Sequence, residues 1–417
     1  MHIAIDISVL RIAQAGVLVY TRSLIDALAD LVAEEGGHAL TLLDVLPLNP
    51  ERPMRRLRAF DAPGVRVVRC PGLRRGYLSM VPGVRLGPAH GLAEGIDRAL
   101  DRPWGLASTA AMGLALRSAL AGVDVFHASE QFLHAPPGAA AVLTVHDLTT
   151  LVHPEWHVQA TADLHAAKDR FAARAASRLI AVSRATRDDV VRHLGVPAER
   201  ISVVHLGCDA RYRPRSPDET AAVLGRHGLR HGGYILSLGT LEPRKNHVRL
   251  IEAYAALAET PAADRGALPP PLVIAGGRGW QYEPILDAPR RCGVERRVRF
   301  LGRVDEEDLP ALVAGAGLFV YPSLYEGFGL PVLEALASGV PVVASDSTSL
   351  PEVLGDAGLL CDPRDTADIA RRMAAVLADR ALAARLREAG PRRAAQFTWR
   401  RTARETLAAY AAAAQAR

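Results

Sequence analysis

Cysteine is scarce in this sequence, with four in 417 residues. Cys70, Cys208, Cys292 and Cys361 stand apart, without a C-x-x-C pair and without a nearby histidine at the spacing of a metal site. This pattern argues against a disulfide framework and gives no indication of a zinc site. A chain of this kind fits a reducing compartment.

Long apolar runs are missing as well, because no stretch reaches the roughly 20 residues that a membrane-spanning helix needs. The N-terminus, MHIAIDISVL, starts a strand-like run at once and lacks the basic region and apolar core of an export signal. We therefore expect a cytoplasmic protein, and peripheral contact with the inner face of a membrane is compatible with that expectation.

The composition is that of an ordinary globular protein, with 49% hydrophobic and 23% charged residues. The length predicts two or three domains at roughly 150 residues each. A net charge of +5 and a pI of about 9.2 favour anionic partners such as phosphates, and they do not single out nucleic acid.

The order of apolar runs predicts an α/β fold of two doubly wound parallel sheets. In the first half, β-prone runs alternate with helix-like segments at Leu18 to Val32, Ala162 to Ala176 and Arg184 to His193, which indicates βαβ units. After the polar stretch DARYRPRSPDET the pattern restarts at YILSLG, so we place domains at 1–212 and 213–395. The runs interpreted as strands are HIAIDI, VDVFHA, AVLTVHD, RLIAVS and ISVVHL, then YILSLG, LVIAGG, VRFLG, LFVYPS and PVVAS.

The stretch YEGFGLPVLEALASGVPVV predicts a strand, a turn and a helix with a carboxylate on each side of the turn. Pro331 suits the first helical position, Gly339 suits the left-handed residue after the helix, and Glu334 is expected in the first turn. Gly327 and Gly329 leave the turn bare, so an anionic ligand has access to its backbone N–H groups. The helix dipole alone also favours such glutamates, so the stretch by itself leaves both interpretations open.

A second strand end carries cations. After YILSLG comes GTLEPRKNH, in which Gly239 begins a loop and Arg244 and Lys245 precede a helix that is predicted to start near Asn246. Ligands of open α/β sheets bind beyond the carboxyl ends of strands. We therefore expect Arg244 and Lys245 to hold a diphosphate together with the Glu326 turn.

In the first half, TVHDL ends a strand with His146 and Asp147, which are expected to face a cleft between the two domains. A histidine at a strand end is also a common structural residue. Gly16 lies between the first predicted strand and helix, where backbone can approach a ligand, although no G-x-G-x-x-G fingerprint is present. Ser183 is predicted to cap the helix that starts at Arg184.

These motifs resemble those of the retaining GT-B glycosyltransferases of family 4. Glu326 to Glu334 matches the E-x7-E signature, and GTLEPRKN matches the loop that holds the donor phosphates. The resemblance covers nearly the whole chain and includes AGGRGW, RVRFLGRV and the rest of the Glu334 helix, whereas residues 45–120 match no motif of the family. It implies a C-terminal helix, 396–417, that packs back on the N-terminal domain.

The resemblance also implies a nucleotide-sugar site in the C-terminal domain. Glu326 is expected to accept hydrogen bonds from the donor sugar, and Glu334 from the ribose hydroxyls of the nucleotide. Arg244 and Lys245 are expected to neutralise the diphosphate and to stabilise the charge that it gains on leaving. The remaining donor positions carried over are Gly239, Gly277, Arg303, Val304, Gly327, Phe328, Gly329 and Leu330, with Gly302 to Val304 beside the base.

The implied activity is transfer of a hexose, mannose-like or related, to a glycan, lipid-linked or small-molecule acceptor, as in polysaccharide biosynthesis. His146 is expected to meet the transferred sugar from the acceptor side, and the Gly16 loop to lie under the diphosphate or the acceptor. A double displacement needs a carboxylate nucleophile, for which Asp147 is the nearest candidate, whereas the family's usual picture is front-face attack. We expect neither a metal nor a cofactor beyond the donor substrate.

Two other functions fit parts of the pattern. GT-B architecture also serves nucleotide-sugar epimerases and sugar phosphorylases, but a phosphorylase needs a pyridoxal phosphate lysine and Lys245 is better explained by phosphate. A non-catalytic, two-lobed sugar-binding protein of periplasmic type needs an export signal.

The segment from Arg52 to Leu120 mixes arginines with apolar residues. Such a mixture is compatible with docking on anionic lipid, for which Arg74 to Leu86 is our candidate, and equally with a loop packed on the sheet.

Overall fold

The computed structural model describes residues 1–12, 15–46, 57–71, 118, 120–128, 135–136, 138–259 and 268–416. Two parallel β-sheets follow one another along these residues, one in each half of the chain. The predicted α/β fold with two doubly wound sheets is therefore confirmed. The candidate membrane-docking segment, Arg74 to Leu86, lies outside the described residues.

The first sheet has seven strands in the order β3-β2-β1-β4-β5-β6-β7, and all its pairings are parallel. Its strand order reverses direction between β1 and β4, which is where ligands bind in such sheets. The strands are β1 His2–Asp6, β2 Ala39–Leu46, β3 Val65–Pro71, β4 Val125–Ala128, β5 Ala140–Val145, β6 Arg178–Ala181 and β7 Ile201–Val203.

Helices cover the first sheet, and their apolar faces pack on its buried strands. Ser183 caps α5 as predicted, since its Oγ accepts a hydrogen bond from the Thr186 N–H at 3.0 Å. The α-helices in this half are α1 Val9–Ile12, α2 Ala15–Glu35, α3 Thr149–Val152, α4 Gln159–Ala175 and α5 Arg184–Leu194, and short 3₁₀ helices lie at Arg58–Asp61, Pro154–Trp156 and Ala198–Arg200.

The second sheet has six strands in the order β10-β9-β8-β11-β12-β13, again all parallel. The order reverses between β8 and β11, so the loops after these two strands meet at one point. The strands are β8 Ile235–Leu238, β9 Leu272–Ala275, β10 Val298–Gly302, β11 Leu318–Tyr321, β12 Val342–Ser345 and β13 Leu359–Cys361.

The helices of the second half enclose this sheet on both faces. Strands β8, β9, β11 and β12 have four residues each, and all of these residues are buried. A 3₁₀ turn at Pro243–Lys245 precedes α7. The helices are α6 Pro217–Arg226, α7 His247–Glu259, α8 Glu283–Arg291, α9 Leu309–Ala314, α10 Leu330–Ala337, α11 Leu350–Leu354, α12 Thr366–Ala378, α13 Arg380–Ala394 and α14 Trp399–Gln415.

The last helix, α14, returns to the first half of the molecule. It packs against α2 and against strands β4, β5 and β6. Its buried side includes Thr402, Leu407 and Tyr410, while Arg400 reaches Glu34 of α2 in an exposed ion pair. Within the part of the chain that the structure describes, no helix combines the length and the apolar character needed to cross a bilayer.

Candidate active site

The two charged strand ends identified in the sequence meet at the point where the second sheet reverses its order. The loop after β8 supplies Arg244 and Lys245, and the loop after β11 supplies Glu326. The loops are tied together through backbone as well, because Leu324 N donates to Arg244 O at 2.9 Å. Residues about 80 positions apart in sequence thus form one cluster.

Glu326 is the centre of this cluster. Its Oε2 accepts a hydrogen bond from Arg244 Nη1 at 2.9 Å, and its Oε1 accepts one from Lys245 Nζ at 2.6 Å. Ser323 Oγ donates to the same Oε1 at 2.6 Å, and the Glu326 N–H donates to Thr348 Oγ1 at 3.0 Å. The side chain is 9% exposed, so these contacts fix both its position and its charge.

Each cation has a further partner. Arg244 Nη2 donates to Glu242 Oε1 at 2.8 Å, and its Nη1 also donates to the carbonyl of Tyr325 at 3.0 Å. Lys245 Nζ donates to the Tyr321 hydroxyl at 2.8 Å. The two cations are therefore balanced by the carboxylates of Glu242 and Glu326, and an anionic ligand has to compete with Glu326 for them.

The charges of this cluster perturb one another. Burial alone acts to raise the pKa of Glu326, but Arg244 and Lys245 outweigh it and lower that pKa to about 2. Burial acts to lower the pKa of Arg244, and Glu326 and Glu242 reverse this and raise it. The pKa of Lys245 is lowered by burial and by the neighbouring Arg244. Glu326 is consequently ionised at any physiological pH.

The turn that follows Glu326 differs from the prediction in two details. Helix α10 starts at Leu330, so Pro331 is its second residue, and Glu334 is its fifth and lies outside the first turn. The left-handed conformation expected at Gly339 is present, with φ of 70°, and Gly329 caps the start of the helix with φ of 104°. The helix starts one residue earlier than predicted because Gly329, with its positive φ, takes the cap position and leaves Leu330 as the first helical residue.

Glu334 lies beside the segment that joins the two sheets. Removal from water raises its pKa to about 8, although a hydrogen bond with Tyr212 opposes the shift. Asp209 and Arg211 of the joining segment also act on this carboxylate, in opposite directions. Arg211 in turn pairs with Glu306 at 3.1 Å, and Arg22 of α2 pairs with Glu306 at 2.7 Å.

The other positions carried over from the family lie at the ends of neighbouring strands. Leu241 N donates to Gly277 O at 2.8 Å and Gly276 N to Gly302 O at 2.8 Å, so the loops after β8, β9 and β10 lie side by side. The ring of Phe328 is buried against His205 and Phe397, so the part of this predicted donor position that is left for a ligand is its backbone. The remaining positions are Gly239 after β8, exposed Arg303 and half-buried Val304 after β10, and half-buried Leu330 at the start of α10.

On the first sheet, His146 and Asp147 follow β5 directly, as predicted. Asp147 Oδ1 accepts hydrogen bonds from the Thr149 N–H at 2.9 Å and the Thr149 hydroxyl at 2.7 Å. Burial acts to raise the pKa of Asp147, but Arg244 and these hydrogen bonds lower it. Asp147 is thus an ionised carboxylate already engaged in the turn before α3.

Gly16 is not in a loop. It is the second residue of α2, it is exposed, and a Cβ placed on it meets no atom within 4 Å. The prediction that the helix starts at Leu18 is wrong by three residues, because a glycine in a first turn is tolerated where the helix is stabilised by the apolar face that follows.

The two halves touch across the cleft at the Glu326 turn. Thr186 Oγ1 donates to Gly327 O at 3.1 Å, and the Tyr325 hydroxyl donates to Asp189 Oδ2 at 2.5 Å. A Cβ on Gly327 would lie 1.7 Å from the carbonyl oxygen of His146. His146 and Asp147 are therefore brought to the same place as Glu326 and Arg244.

Several residues of this site were missed in the sequence. Glu326 and Lys245 are held in place by Ser323, Tyr321 and Thr348. These three residues lie at or just beyond strand ends, and that position is the feature of the sequence that could have identified them. His157 lies near Asp147 and Arg244, and its Nε2 is buried without a hydrogen-bond partner among the described residues. Nothing in the sequence around His157 distinguishes it.

This arrangement can bind a negatively charged group and the hydroxyls of a sugar. Two buried cations and the N-terminus of α10 favour an anion, while Glu326 offers two acceptor oxygens. Among the described residues, no group of three or more histidine, cysteine, aspartate or glutamate side chains is arranged to hold a metal ion.

Two family profiles match the chain one after the other. The profile described as Glycosyltransferase Family 4 matches residues 16–212, and the profile described as Glycosyl transferases group 1 matches residues 229–393. The second range contains Arg244, Lys245, Glu326 and Glu334.

Relatives that match about two thirds of the chain include a mannosyltransferase and a glycogen synthase. O-antigen chain mannosyltransferase B of Escherichia coli is 41% identical over 275 residues, which are 65% of this chain and 70% of that protein. Glycogen synthase of Mycobacterium tuberculosis is 33% identical over 300 residues, 70% of this chain and 69% of that protein.

Solved structures extend the similarity to the whole fold. Sucrose-phosphate synthase from Thermosynechococcus elongatus superposes with a TM-score of 0.68 at 21% identity and covers 99% of this chain and 98% of that one. Anabaena HepE, in complex with UDP and glucose, gives a TM-score of 0.66 at 20% identity and covers 99% of this chain and 100% of that one. At these identities the likeness shows the fold alone, and it confirms the predicted GT-B architecture.

Proposed function

Because the chain belongs to the family 4, or group 1, glycosyltransferases, we propose that it transfers a mannose-like hexose from a nucleoside-diphosphate sugar to a glycan hydroxyl. The observation that carries this proposal is the buried cluster of Glu326 with Arg244 and Lys245 at the reversal point of the second sheet. The mannosyltransferase among the relatives supports the choice of sugar, and its name supports a glycan acceptor. Lipid-linked and small-molecule acceptors are variants of the same proposal.

Donor binding exchanges the partners of the cluster. The diphosphate takes Arg244 and Lys245 from Glu326, and the Glu326 carboxylate then accepts hydrogen bonds from the sugar hydroxyls. The exchange is supported by the charge balance, because the cations are compensated only by carboxylates in the unliganded cluster. It keeps the buried charges paired at each stage, which avoids the large cost of an isolated buried charge.

The same cations serve the chemical step. As the glycosidic bond breaks, the leaving diphosphate gains negative charge, and fixed cations stabilise that charge more than they stabilise the ground state. His146 contacts the transferred sugar from the side of the first sheet. Attack from the front face, with a donor phosphate oxygen accepting the acceptor proton, fits Asp147 being held by Thr149.

The other positions have supporting roles. Glu334 accepts hydrogen bonds from the ribose, the Gly302 to Val304 loop borders the base, and the backbone of Gly327 and Gly329 contacts the diphosphate. We further propose 1–212 as the acceptor domain, 213–395 as the donor domain and 396–417 as a helix packed on the former. Contact of residues 74–86 with a membrane stays a prediction.

The test begins with a panel of nucleotide sugars. Thermal stabilisation of the protein by one nucleoside diphosphate identifies the base. Product formation from sugars linked to that nucleoside diphosphate, with a glycan as acceptor, identifies the reaction. Arg244→Ala should abolish the stabilisation, whereas Arg290→Ala, which changes an arginine with 76% of its side chain exposed, should retain it.

Release of sugar 1-phosphate from the glycan when inorganic phosphate is added, or interconversion of the nucleotide sugar without an acceptor, would contradict the proposal. The first result indicates a phosphorylase and the second an epimerase. Stabilisation by free sugars alone would indicate a binding protein without catalytic activity.

A further inference from the structure

A chain of buried hydrogen bonds runs through the first sheet and ends at Tyr20, whose ring contacts His146. The Tyr410 hydroxyl bonds His127 Nδ1 at 2.7 Å, His127 Nε2 bonds Thr144 Oγ1 at 2.8 Å, and Thr144 Oγ1 bonds the Tyr20 hydroxyl at 2.7 Å. The chain links α14, β4, β5 and α2, which are distant in sequence. No step of the proposed reaction uses it.

The whole chain is shielded from water. Tyr20 is 1% exposed, Thr144 is 3% exposed, and His127 and Tyr410 are fully buried. Burial and the nearby His146 lower the pKa of His127 to about 3, so its imidazole is neutral and can donate from one nitrogen while accepting at the other. A neutral His127 therefore completes a continuous chain in either direction, in which every link has a donor and an acceptor.

The chain ends against His146. The ring of Tyr20 contacts the imidazole of His146 edge-on, with the ring centroids 4.7 Å apart and an interplanar angle of 82°. This T-shaped geometry is the favoured one for aromatic pairs, and it restrains the rotation of the imidazole. Thr144 lies on β5 two residues before His146, which directly follows that strand, so the strand and the tyrosine ring hold the histidine from two directions.

We propose that Tyr20 is a positioning residue for His146, held in place by hydrogen bonding through Thr144 and His127 to Tyr410 of the C-terminal helix. The inference rests on the proposed function in so far as it takes His146 to contact the transferred sugar. It assigns α14 a part in the reaction, because the last link of the chain belongs to that helix. Misplacement of a catalytic contact by a fraction of an ångström is enough to slow turnover.

The test removes the hydroxyl of Tyr20 and keeps its ring. Tyr20→Phe should lower kcat roughly tenfold with KM for the donor changed by less than about twofold. Thr144→Val, which breaks the same link from the other side, should have a similar effect and should add little to Tyr20→Phe. The control is Tyr234→Phe, since Tyr234 is also fully buried and bonds the Leu312 carbonyl in the second half, far from His146 in the fold.

A double-mutant cycle separates positioning from general stability. In a His146→Ala background, Tyr20→Phe should change kcat by no more than about twofold, because there is no imidazole left to position. An equal loss of kcat in both backgrounds would overturn the inference and leave the proposed function intact. Wild-type turnover of His146→Ala itself would instead overturn the role of His146 in the proposed function.

A spectroscopic readout is independent of activity. The imidazole resonance of His146, assigned by its disappearance in His146→Ala, should shift in Tyr20→Phe and Thr144→Val and stay unchanged in Tyr234→Phe. An unchanged His146 resonance in both network variants would show that the chain does not restrain this histidine, whatever the reaction is.

Discussion

The carbonyl oxygen of His146 occupies the space beside Gly327 where any larger residue would carry its Cβ, at a distance of 1.7 Å. Gly327 belongs to the turn after β11, and His146 directly follows β5 of the other sheet. The bare turn, whose backbone is open to a ligand, is therefore needed first for the approach of the two halves. A ligand that binds the backbone of this turn has to fit beside the contact between Gly327 and the His146 carbonyl.

We predict that Gly327→Ala forces the two halves apart at this point. The added methyl cannot coexist with the His146 carbonyl, and overpacking of this kind costs about 1–3 kcal/mol. Chemical denaturation should show the loss of stability, small-angle scattering should show a larger radius of gyration, and turnover should fall.

The matched control is Gly225→Ala, at an exposed helical position where a Cβ meets no atom within 4 Å. Because alanine is favoured over glycine in helices, this variant should be more stable by up to about 1 kcal/mol. Two alanine variants with the same sign of effect would mean that the His146 contact does not govern the result at Gly327.

We predict that the affinity for a nucleotide sugar increases with pH. The pKa of Glu334 is raised to about 8, so the carboxylate is largely protonated at pH 6, whereas hydrogen bonds from ribose hydroxyls favour the ionised form. Affinity should therefore weaken by roughly tenfold per pH unit below about 8 and level off above it. Isothermal titration between pH 6 and pH 9 measures the slope.

Glu334→Gln is the control for this pH dependence, because the amide keeps the shape and an acceptor oxygen but does not titrate. Its affinity should be lower at pH 9 than that of the parent and nearly independent of pH. Stability without ligand should show the opposite sign, since the folded protein binds the extra proton and the free energy of unfolding falls as pH rises from about 4.5 to 8. A slope that persists in Glu334→Gln would assign it to another group.

The central strands were predictable because buried parallel strands are continuous apolar runs, as in YILSLG and LVIAGG. Three strands were not predicted: β2, which lies next to the edge of the first sheet, and the edge strands β3 and β13. β3 carries Arg66 and Arg69 among its valines, as an edge strand can, and β13 has only three residues, Leu359–Cys361. Neither pattern resembles a buried strand, so local sequence does not distinguish it from a loop.

The individual residues of the candidate site were predictable from the sequence, and the hydrogen bonds between them were not. Strand ends next to Gly, Arg, Lys and Glu identify Arg244, Lys245 and Glu326 one by one. Their mutual hydrogen bonds join residues 81 and 82 positions apart, a relation that only the strand order of the sheet determines. The same reason hides the Tyr20 network, whose links span as many as 283 residues.

We predict that replacing both Arg244 and Lys245 by alanine lowers turnover as well as donor affinity. Their charges act on a diphosphate that becomes more negative in the transition state, so the combined loss in kcat/KM should reach ~3 kcal/mol or more. The variant also leaves Glu242 and Glu326 without their cations, and Glu242→Gln together with Glu326→Gln in the same background restores neutrality as a control for folding. A rise in KM with an unchanged kcat would exclude stabilisation of the leaving group.

The last prediction concerns the stereochemistry of transfer: an α-linked nucleotide sugar should give an α-linked product. An inverting enzyme needs a base within hydrogen-bond reach of the acceptor hydroxyl, on the face opposite the leaving group. Asp147 is ionised but is held by two hydrogen bonds from Thr149, and Glu326 is held by Arg244 and Lys245. Among the site residues predicted from the sequence, His146 is then the remaining candidate for such a base.

His146→Ala discriminates between the two mechanisms. If His146 contacts the sugar without acting as a base, the variant should be slower but should form the same anomer, and its rate should not be rescued by added imidazole. Proton NMR of the anomeric coupling in the product measures the outcome directly. A β-linked product from an α-linked donor would make His146 the base, and the tyrosine ring packed against it would then position a proton acceptor instead of a sugar contact.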